Sequence, residues 1–553
     1  MLGFGAVGTP IALYLFALVA RLALIGGFPD PAYPDSFYYV NVARQLAAGH
    51  GFNTDALWIF AEVGGKIPAN PVLPIASNAH WMPLASIVQV PFIWLLGPTA
   101  VASALPFAII GAVAAPLAWA IGRDAGVPRF VALGAGILTA MPGLSFVYMA
   151  QPDNFSLYQP LVAGVLLLAA RGLRGSRRSF LLAGLLAGLA TLSRNDGVLV
   201  LAVLGLAFLW DRWRTIRASG GQPPRPARIP LATALGSVAL FLVCVVPWFA
   251  RQLVVFGSLS PSTASGKVLF IRNIGEWNSI TTPATLDHLL GMGLGPLLAT
   301  RVDGFVQAVI IFSILVGVFV LMPPMIIGAW RHRRDVAFGP YLAYAVLLFG
   351  FSALISAVHV PGGTFIHSAV ALVPHAYVLA LDGIVVAVAW LARRRPSWNA
   401  PQASRVFVGA AVGFGVIAAV AGTVSVHAIW SDRRDRAQAV SAALDAAGAP
   451  ADDRVMSIDA SGTKYWTGHP GVVLVNDPLD TVRDVATAYD TRWLVLERDD
   501  SVPAAAQILI DGNRPSWVGP PILERPDVSV YPICTTPDDS RCSAAAAAVG
   551  PNR

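Results

Sequence analysis

Residues Met82–Gly97 read MPLASIVQVPFIWLLG. The stretch is apolar but short, and Pro83 and Pro91 interrupt it. A helix needs about 20 apolar residues to cross the roughly 30 Å hydrocarbon core of a bilayer. Whether this stretch crosses decides on which side of a membrane every later loop lies. The chain around it is membrane-like: of 553 residues, 56% are hydrophobic and 12% charged, and the mean hydropathy is +0.63. These values exclude an ordinary soluble enzyme. Apolar periodicity and punctuation predict about eleven spans, near 5–27, 99–122, 130–149, 156–170, 179–193, 197–210, 230–250, 304–329, 338–358, 368–392 and 406–430. The first lacks a basic leader and a small-residue cleavage site before Asp30, so it reads as a retained signal anchor.

Charge distribution decides the topology. With 82–97 lying in the interface, the loops 123–129, 171–179, 211–228, 330–335 and 393–405 share one side and carry 18 Lys and Arg. The opposite loops, including the long 28–98 and 251–303, carry seven. Basic loops stay in the cytoplasm, so the N-terminus is expected there, and an extra crossing near residue 90 would reverse the bias. The net charge of +7 is thus explained by topology and gives no reason to expect nucleic acid. Residues 431–553 hold 18 of the 31 acidic residues. Their apolar bursts RVMSID, GVVLVN and RWLVLERD alternate with the helical pattern PLDTVRDVATAYD, which predicts a small extracytoplasmic α/β domain after a membrane domain of 1–430. Its expected part is to cover a site or bind a partner. Cys534 and Cys542 would form a disulfide outside the cell or stay two thiols. Cys244 reads as a buried packing residue, and the tail SAAAAAVGPNR as disordered.

The outer loops hold the candidate chemistry. In YPDSFYYVNVARQLAAGHGF, Tyr33–Phe52, the residues Tyr39, Val42, Ala43 and Leu46 give an amphipathic helix with one apolar face. Such a helix lies along the interface. Asp35 at its start is either a cap for free backbone amides or a catalytic carboxylate. Asp153, in YMAQPDNFSLY, stands at the next outer mouth with the same two readings. Arg194 and Asp196, in TLSRNDGVLV, form either an ion pair that fixes a tight turn or part of a site. Arg251, Lys267 and Arg272 stand outside against the charge rule. They either snorkel to lipid headgroups or grip an anionic phosphate. HVPGGTFIHS brings His359 and His367 around a Gly-Gly turn, without a zinc-type spacing.

These motifs, in this order and on this side, resemble the GT-C superfamily of membrane glycosyltransferases. Within it the likeness is to glycosyltransferase family 39 and its relatives, the protein O-mannosyltransferases and the aminoarabinose transferase of lipid A. It rests on PDSFYYVNVARQLAAGHGF, then HWMPLASIVQVPFIWLLG, QPDN, LSRNDG and PWFARQLVVFG, and spans most of residues 1–430. The GGTFIHS turn departs from the pattern, and no Arg-Tyr pair precedes the last helices. The resemblance implies a polytopic α-helical GT-C-like fold in the plasma membrane. It implies transfer of a sugar from a polyprenyl-phosphate donor to a hydroxyl of a protein, lipid or polysaccharide acceptor, at the extracytoplasmic face. It makes Asp35 the catalytic carboxylate and Asp153 the second-loop acid.

The physical needs of such a reaction set the expected roles. A carboxylate takes the acceptor proton in a single inverting displacement, and cations or a metal stabilise the departing phosphate. Asp35 is the expected base. Asp153 orients the acceptor or, with Asp35, holds Mg²⁺ or Mn²⁺ in preference to zinc. Tyr38, Tyr39, His80, Arg194, Asp196, Arg251, Lys267, Arg272 and His367 are the candidate substrate contacts. A multi-span transporter or lipid flippase is the alternative, but its ionisable residues would lie along the spans. Here only Arg21 and Asp382 do so.

Overall fold

A computed structural model describes residues 4–218, 228–317, 319–395, 397–498, 503, 506–510 and 514–534. Cys542 and the alanine-rich tail lie outside the described residues. Cys534 takes part in a disulfide, and Cys244 is a free thiol.

Among the described residues, seven helices are long and apolar enough to cross a membrane, or eight if a bent pair counts as one span. They are 8–27, Ala100–Asp124, Phe155–Leu173, Leu231–Phe256, Leu294–Gly317, 357–392 and Ala400–Ala446, with Arg129–Ala140 and Gly143–Ala150 as the bent pair. The expected eleven segments are all helical, but Arg177–Ser193 and Gly339–Leu354 are shorter, at 17 and 16 residues. The segment expected as a single span, 304–329, is two helices, Leu294–Gly317 and Met322–His332. Gly317 leaves the first at a positive φ of 144°. Pro323 then opens the second, where its missing N–H costs nothing. The span expected at 130–149 bends by 55° at Met141–Pro142. Arg21, fully buried, donates through Nη1 to the carbonyls of Ala17 at 3.2 Å and Ala140 at 3.0 Å. It thereby satisfies a backbone group beside the bend, as a lipid-buried break requires.

Met82–Gly97 forms two short helices, Leu84–Ile87 and Val90–Leu96. At 1.5 Å per residue they fall about 10 Å short of a crossing. Trp94 and Leu95 remain exposed, as a lipid-facing edge would be. Two groups of loops follow. Arg171 pairs with Asp124 at 2.6 Å and Arg174 with Asp335 at 3.5 Å, so three of the basic loops meet on one face. The first long loop, the turns at 151–154 and 194–197 and the C-terminal domain meet on the other.

That domain is a six-stranded sheet of order β2-β5-β4-β6-β8-β7. Its strands are β2 (Ala56–Leu57), β4 (Arg454–Ser457), β5 (Gly471–Val473), β6 (Thr491–Glu497), β7 (Leu523–Glu524) and β8 (Val528–Pro532). β2, β5, β4 and β6 run parallel, β8 runs antiparallel to β6, and β7 antiparallel to β8. β1 (Asn53–Thr54) and β3 (Ile75–Ala76) make a separate pair. β2 belongs to the first loop, with Ala56 opposite Gly471. The sheet therefore does not begin at residue 431, and the helix expected to end near 430 continues to Ala446. Ser461 bonds twice to the first loop: its carbonyl accepts from Asn41 at 2.9 Å and its Oγ from the Trp58 indole at 2.9 Å. One core joins both, with Tyr38, Phe60 and Trp81 packed alongside Met456, Val473 and Leu494.

Candidate active site

Asp35 lies in the first turn of helix Pro34–Ala47, but Ser36 does the capping. The Ser36 hydroxyl accepts the N–H groups of Ala32 and Tyr33, at 3.0 and 3.1 Å. That leaves the Asp35 carboxylate free of backbone. Its Oδ1 accepts the Trp81 indole N–H at 2.8 Å, and its Oδ2 faces His367 Nε2 at 3.8 Å. On the other side of the same imidazole, Nδ1 lies 3.4 Å from Asp153 Oδ2, too poorly aligned for a hydrogen bond. Asp153 is wholly buried. It accepts from Tyr33 Oη at 3.0 Å and from the Asn154 N–H at 2.5 Å. Phe155 stacks on the imidazole at 4.2 Å and holds its plane.

The ligand-capable atoms of Asp35, Asp153 and His367 all lie within 4.8 Å of one another. Burial raises the pKa of both carboxyls. Asp153 is pushed up to about 7 by burial and then by the charge of Asp35. For Asp35, the Trp81 hydrogen bond and Arg194 oppose the rise. A buried carboxyl beside a half-buried one favours a shared proton or a bound cation. The unpartnered Nδ1 of His367 and two carboxylate oxygens are a donor set that fits a divalent metal. The Gly-Gly turn, where sequence spacing gave no metal signature, thus brings a histidine to the acids.

Asp35 and His367 open on a cavity of about 1150 Å³, lined by the membrane helices, the first loop and the C-terminal domain, with Asp153 buried behind them. Tyr39, His80, Arg194, Asp196 and His359 also line it. The Tyr39 hydroxyl accepts from Asn154 Nδ2 at 2.8 Å. His80 bonds the hydroxyls of Ser262 and Ser265, each at 3.0 Å. Burial, then His359 and Arg194, drop its pKa to about 4, so it is a neutral imidazole. Arg194 pairs with Asp196 at 3.0 Å. Asp196 accepts the Ser368 hydroxyl, and Arg194 reaches the Thr364 carbonyl at 3.4 Å. The ion pair therefore ties the 194–197 turn to the segment that carries His367.

Four expected contacts lie elsewhere. Tyr38 is fully buried behind the wall, stacked on Trp81 at 4.1 Å, and donates to Glu62 at 2.6 Å. Arg251 lies over the rings of Phe52, Trp248 and Phe256. Lys267 turns inward to the Ser279 carbonyl, and Arg272 to the carbonyl of His288. These three cations find partners within the protein, and none lines the cavity. Arg433, Arg434 and Arg436 line it instead. The run SDRRDR could have signalled them, but it reads as the solvated end of a span. Asp382, the second ionisable residue within the spans, pairs with His332 at 3.0 Å among the basic loops, away from this cavity.

Residues 81–249 match the family described as dolichyl-phosphate-mannose-protein mannosyltransferase. A comparison with curated proteins gives no match. Among solved structures, ArnT from Cupriavidus metallidurans in the apo state is 14% identical. It superimposes with a TM-score of 0.57, covering 99% of this chain and 100% of that one. The same protein bound to undecaprenyl phosphate gives 14% and 0.56, covering 96% and 99%. The oligosaccharyltransferase of Archaeoglobus fulgidus, complexed with zinc and sulfate, is 14% identical with a TM-score of 0.54, covering 92% and 71%. Residues 81–249 thus match a mannosyltransferase family model, and the chain shares the fold of ArnT along nearly its whole length.

Proposed function

We propose that the protein transfers a sugar from a polyprenyl-phosphate carrier to an acceptor hydroxyl, at the extracytoplasmic face of the plasma membrane, with inversion. The observation that carries this is the convergence of Asp35, Asp153 and His367 within 4.8 Å, with Asp35 and His367 lining one cavity between membrane helices and C-terminal domain and Asp153 buried behind them. A lipid-linked donor needs its headgroup at that level and its chain in the bilayer. Val198, Leu199 and Phe351 supply apolar lining from the membrane helices. The undecaprenyl phosphate bound by ArnT is the kind of carrier this shape suits.

In this reading Asp35 is the base. Trp81 fixes one of its oxygens and leaves the other facing the cavity. Burial raises its proton affinity, which strengthens a general base. The acceptor oxygen bonds to the anomeric carbon as its proton passes to Asp35. The bond from that carbon to the phosphate oxygen breaks, and its electron pair leaves with the phosphate. Arg194, whose charge acts on Asp35 and Asp153, faces the departing group. Asp153, 3.4 Å from His367, acts on the site through its charge or as a ligand to a cation. A divalent cation, if bound, would be held by Asp35, Asp153 and His367 and would supply charge to stabilise the phosphate oxygens.

The test is transfer from a panel of labelled polyprenyl-phosphate sugars in liposomes. Asp35→Asn and Asp153→Asn, made separately, are each expected to lower transfer about 100-fold or more. Full activity in both would remove the assignment.

A further inference from the structure

The cavity has a second wall that the displacement does not use. In the sheet, β4 has β5 on one side and β6 on the other. The chain leaves β4 toward β5 through helix Ala460–Thr467, and leaves β6 toward β8. The connections therefore diverge between β4 and β6, a topological switch point. In open α/β sheets the crevice outside the carboxyl ends of the strands at such a point is where ligands bind. Here Asp459 follows β4 and Glu497 ends β6, and both line the cavity that contains Asp35. Asp459 is in electrostatic range of both Glu497 and Asp35, since burial and then the charges of Glu497 and Asp35 raise its pKa.

The chemistry of this wall is mixed. Asp459 accepts the Gly462 N–H at 2.9 Å, and Arg436 lies 3.3 Å from Glu497. Trp466 and Trp430 add two indole rings to the lining. Trp430 is only 4% exposed, and Trp466 is half-buried. Carboxylates that accept, a guanidinium and indole N–H groups that donate, and flat apolar rings beside them match one kind of molecule. A sugar ring offers hydroxyls that do both and a C–H face that packs on an aromatic ring. A peptide recognised by strand addition needs a sheet edge, and neither edge strand, β2 nor β7, lines the cavity.

We infer that the acceptor is itself a carbohydrate, docked on Trp466 and held through its hydroxyls by Asp459, Glu497 and Arg436 at the carboxyl ends of β4 and β6. The inference rests on the transfer reaction proposed above and names its acceptor class. The source is either a soluble glycan or the sugar headgroup of a glycolipid.

Saturation-transfer NMR on the full chain in nanodiscs, without donor, tests binding apart from transfer. The probes are manno- and gluco-oligosaccharides, a disaccharide-bearing glycolipid and a Ser/Thr-rich peptide. Saturation of the oligosaccharides or of the glycolipid headgroup is expected, and which of the two responds identifies the source. Trp466→Ala and Asp459→Asn should each weaken binding at least tenfold, whereas Trp466→Phe should restore most of it. Asparagine can still cap helix Ala460–Thr467, so the Asp459 variant should fold. Asp35→Asn should bind sugar normally while losing transfer. Binding of the peptide alone, absence of sugar binding by the unaltered chain, or sugar binding indifferent to Trp466 and Asp459 would overturn the inference. Failure of the donor assay with intact sugar binding would instead overturn the proposed reaction.

Discussion

Trp81 donates its indole N–H to Asp35 Oδ1 and stacks on Tyr38, so one side chain both aims the proposed base and anchors the wall behind it. Trp81→Phe keeps the stack and removes the donor. The expected result is a kcat about tenfold lower with donor KM nearly unchanged, because one hydrogen bond to a charged group is worth about 1.5–3 kcal/mol. A KM effect alone would place Trp81 in substrate binding instead. Behind it, Glu62 is 4% exposed and accepts from Tyr38 Oη and the Trp58 N–H. Burial lifts its pKa from 4.5 to about 7. The folded protein therefore holds this proton more tightly than the unfolded chain does. The resulting stabilisation is full below about pH 4.5 and is lost as pH rises through about 7. Melting curves should show the unaltered protein losing about 3 kcal/mol between these limits. That loss should be absent from Glu62→Gln, whose amide stays neutral. The cap-or-catalyst ambiguity of Asp35 was not soluble from sequence, because Ser36 is an equally good capping residue next to it, and only geometry shows which one takes the amides.

Among the elements, helices Met322–His332 and Val373–Ala392 pack at glycine. A Cβ on Gly383 would sit 1.8 Å from the Pro324 carbonyl oxygen, and one on Gly328 would sit 2.0 Å from that of Leu379. Such small-residue contacts replace the hydrophobic drive that helices lack inside a bilayer. Gly383→Ala should lower stability by about 2–3 kcal/mol, read as a drop in melting temperature in detergent. Gly413→Ala, on an open face with nothing within 4 Å, should change it little. Spans were legible at this scale because their apolar length is local. The break between 317 and 322 was less so, since Gly317 and Pro323 sit inside an otherwise continuous apolar run. The interfacial placement of 82–97 was readable from its two prolines and from the basic loops that follow.

At the scale of the whole molecule, the first loop and the C-terminal domain fold as a unit, since β2 completes the sheet and Tyr38 and Trp58 complete its core. A chain ending after Ala446 would leave β2 unpaired and those aromatic rings uncovered. Limited proteolysis in detergent should then cut the 48–80 region rapidly, while in the full chain it resists. Equal resistance in both would mean that the loop is ordered by the membrane helices alone. Sequence by itself determined the membrane class, the sharing of a face by Asp35, Asp153 and Arg194, and the α/β character of the last domain. Each follows from hydropathy, charge bias or periodicity, which are properties of short segments. The meeting of His367 with the two acids, the inward turn of Arg251, Lys267 and Arg272, and the strand lent by the first loop were decided only in the tertiary structure. Those features depend on which surfaces far apart in the chain are buried against each other, and no local pattern of residues encodes that.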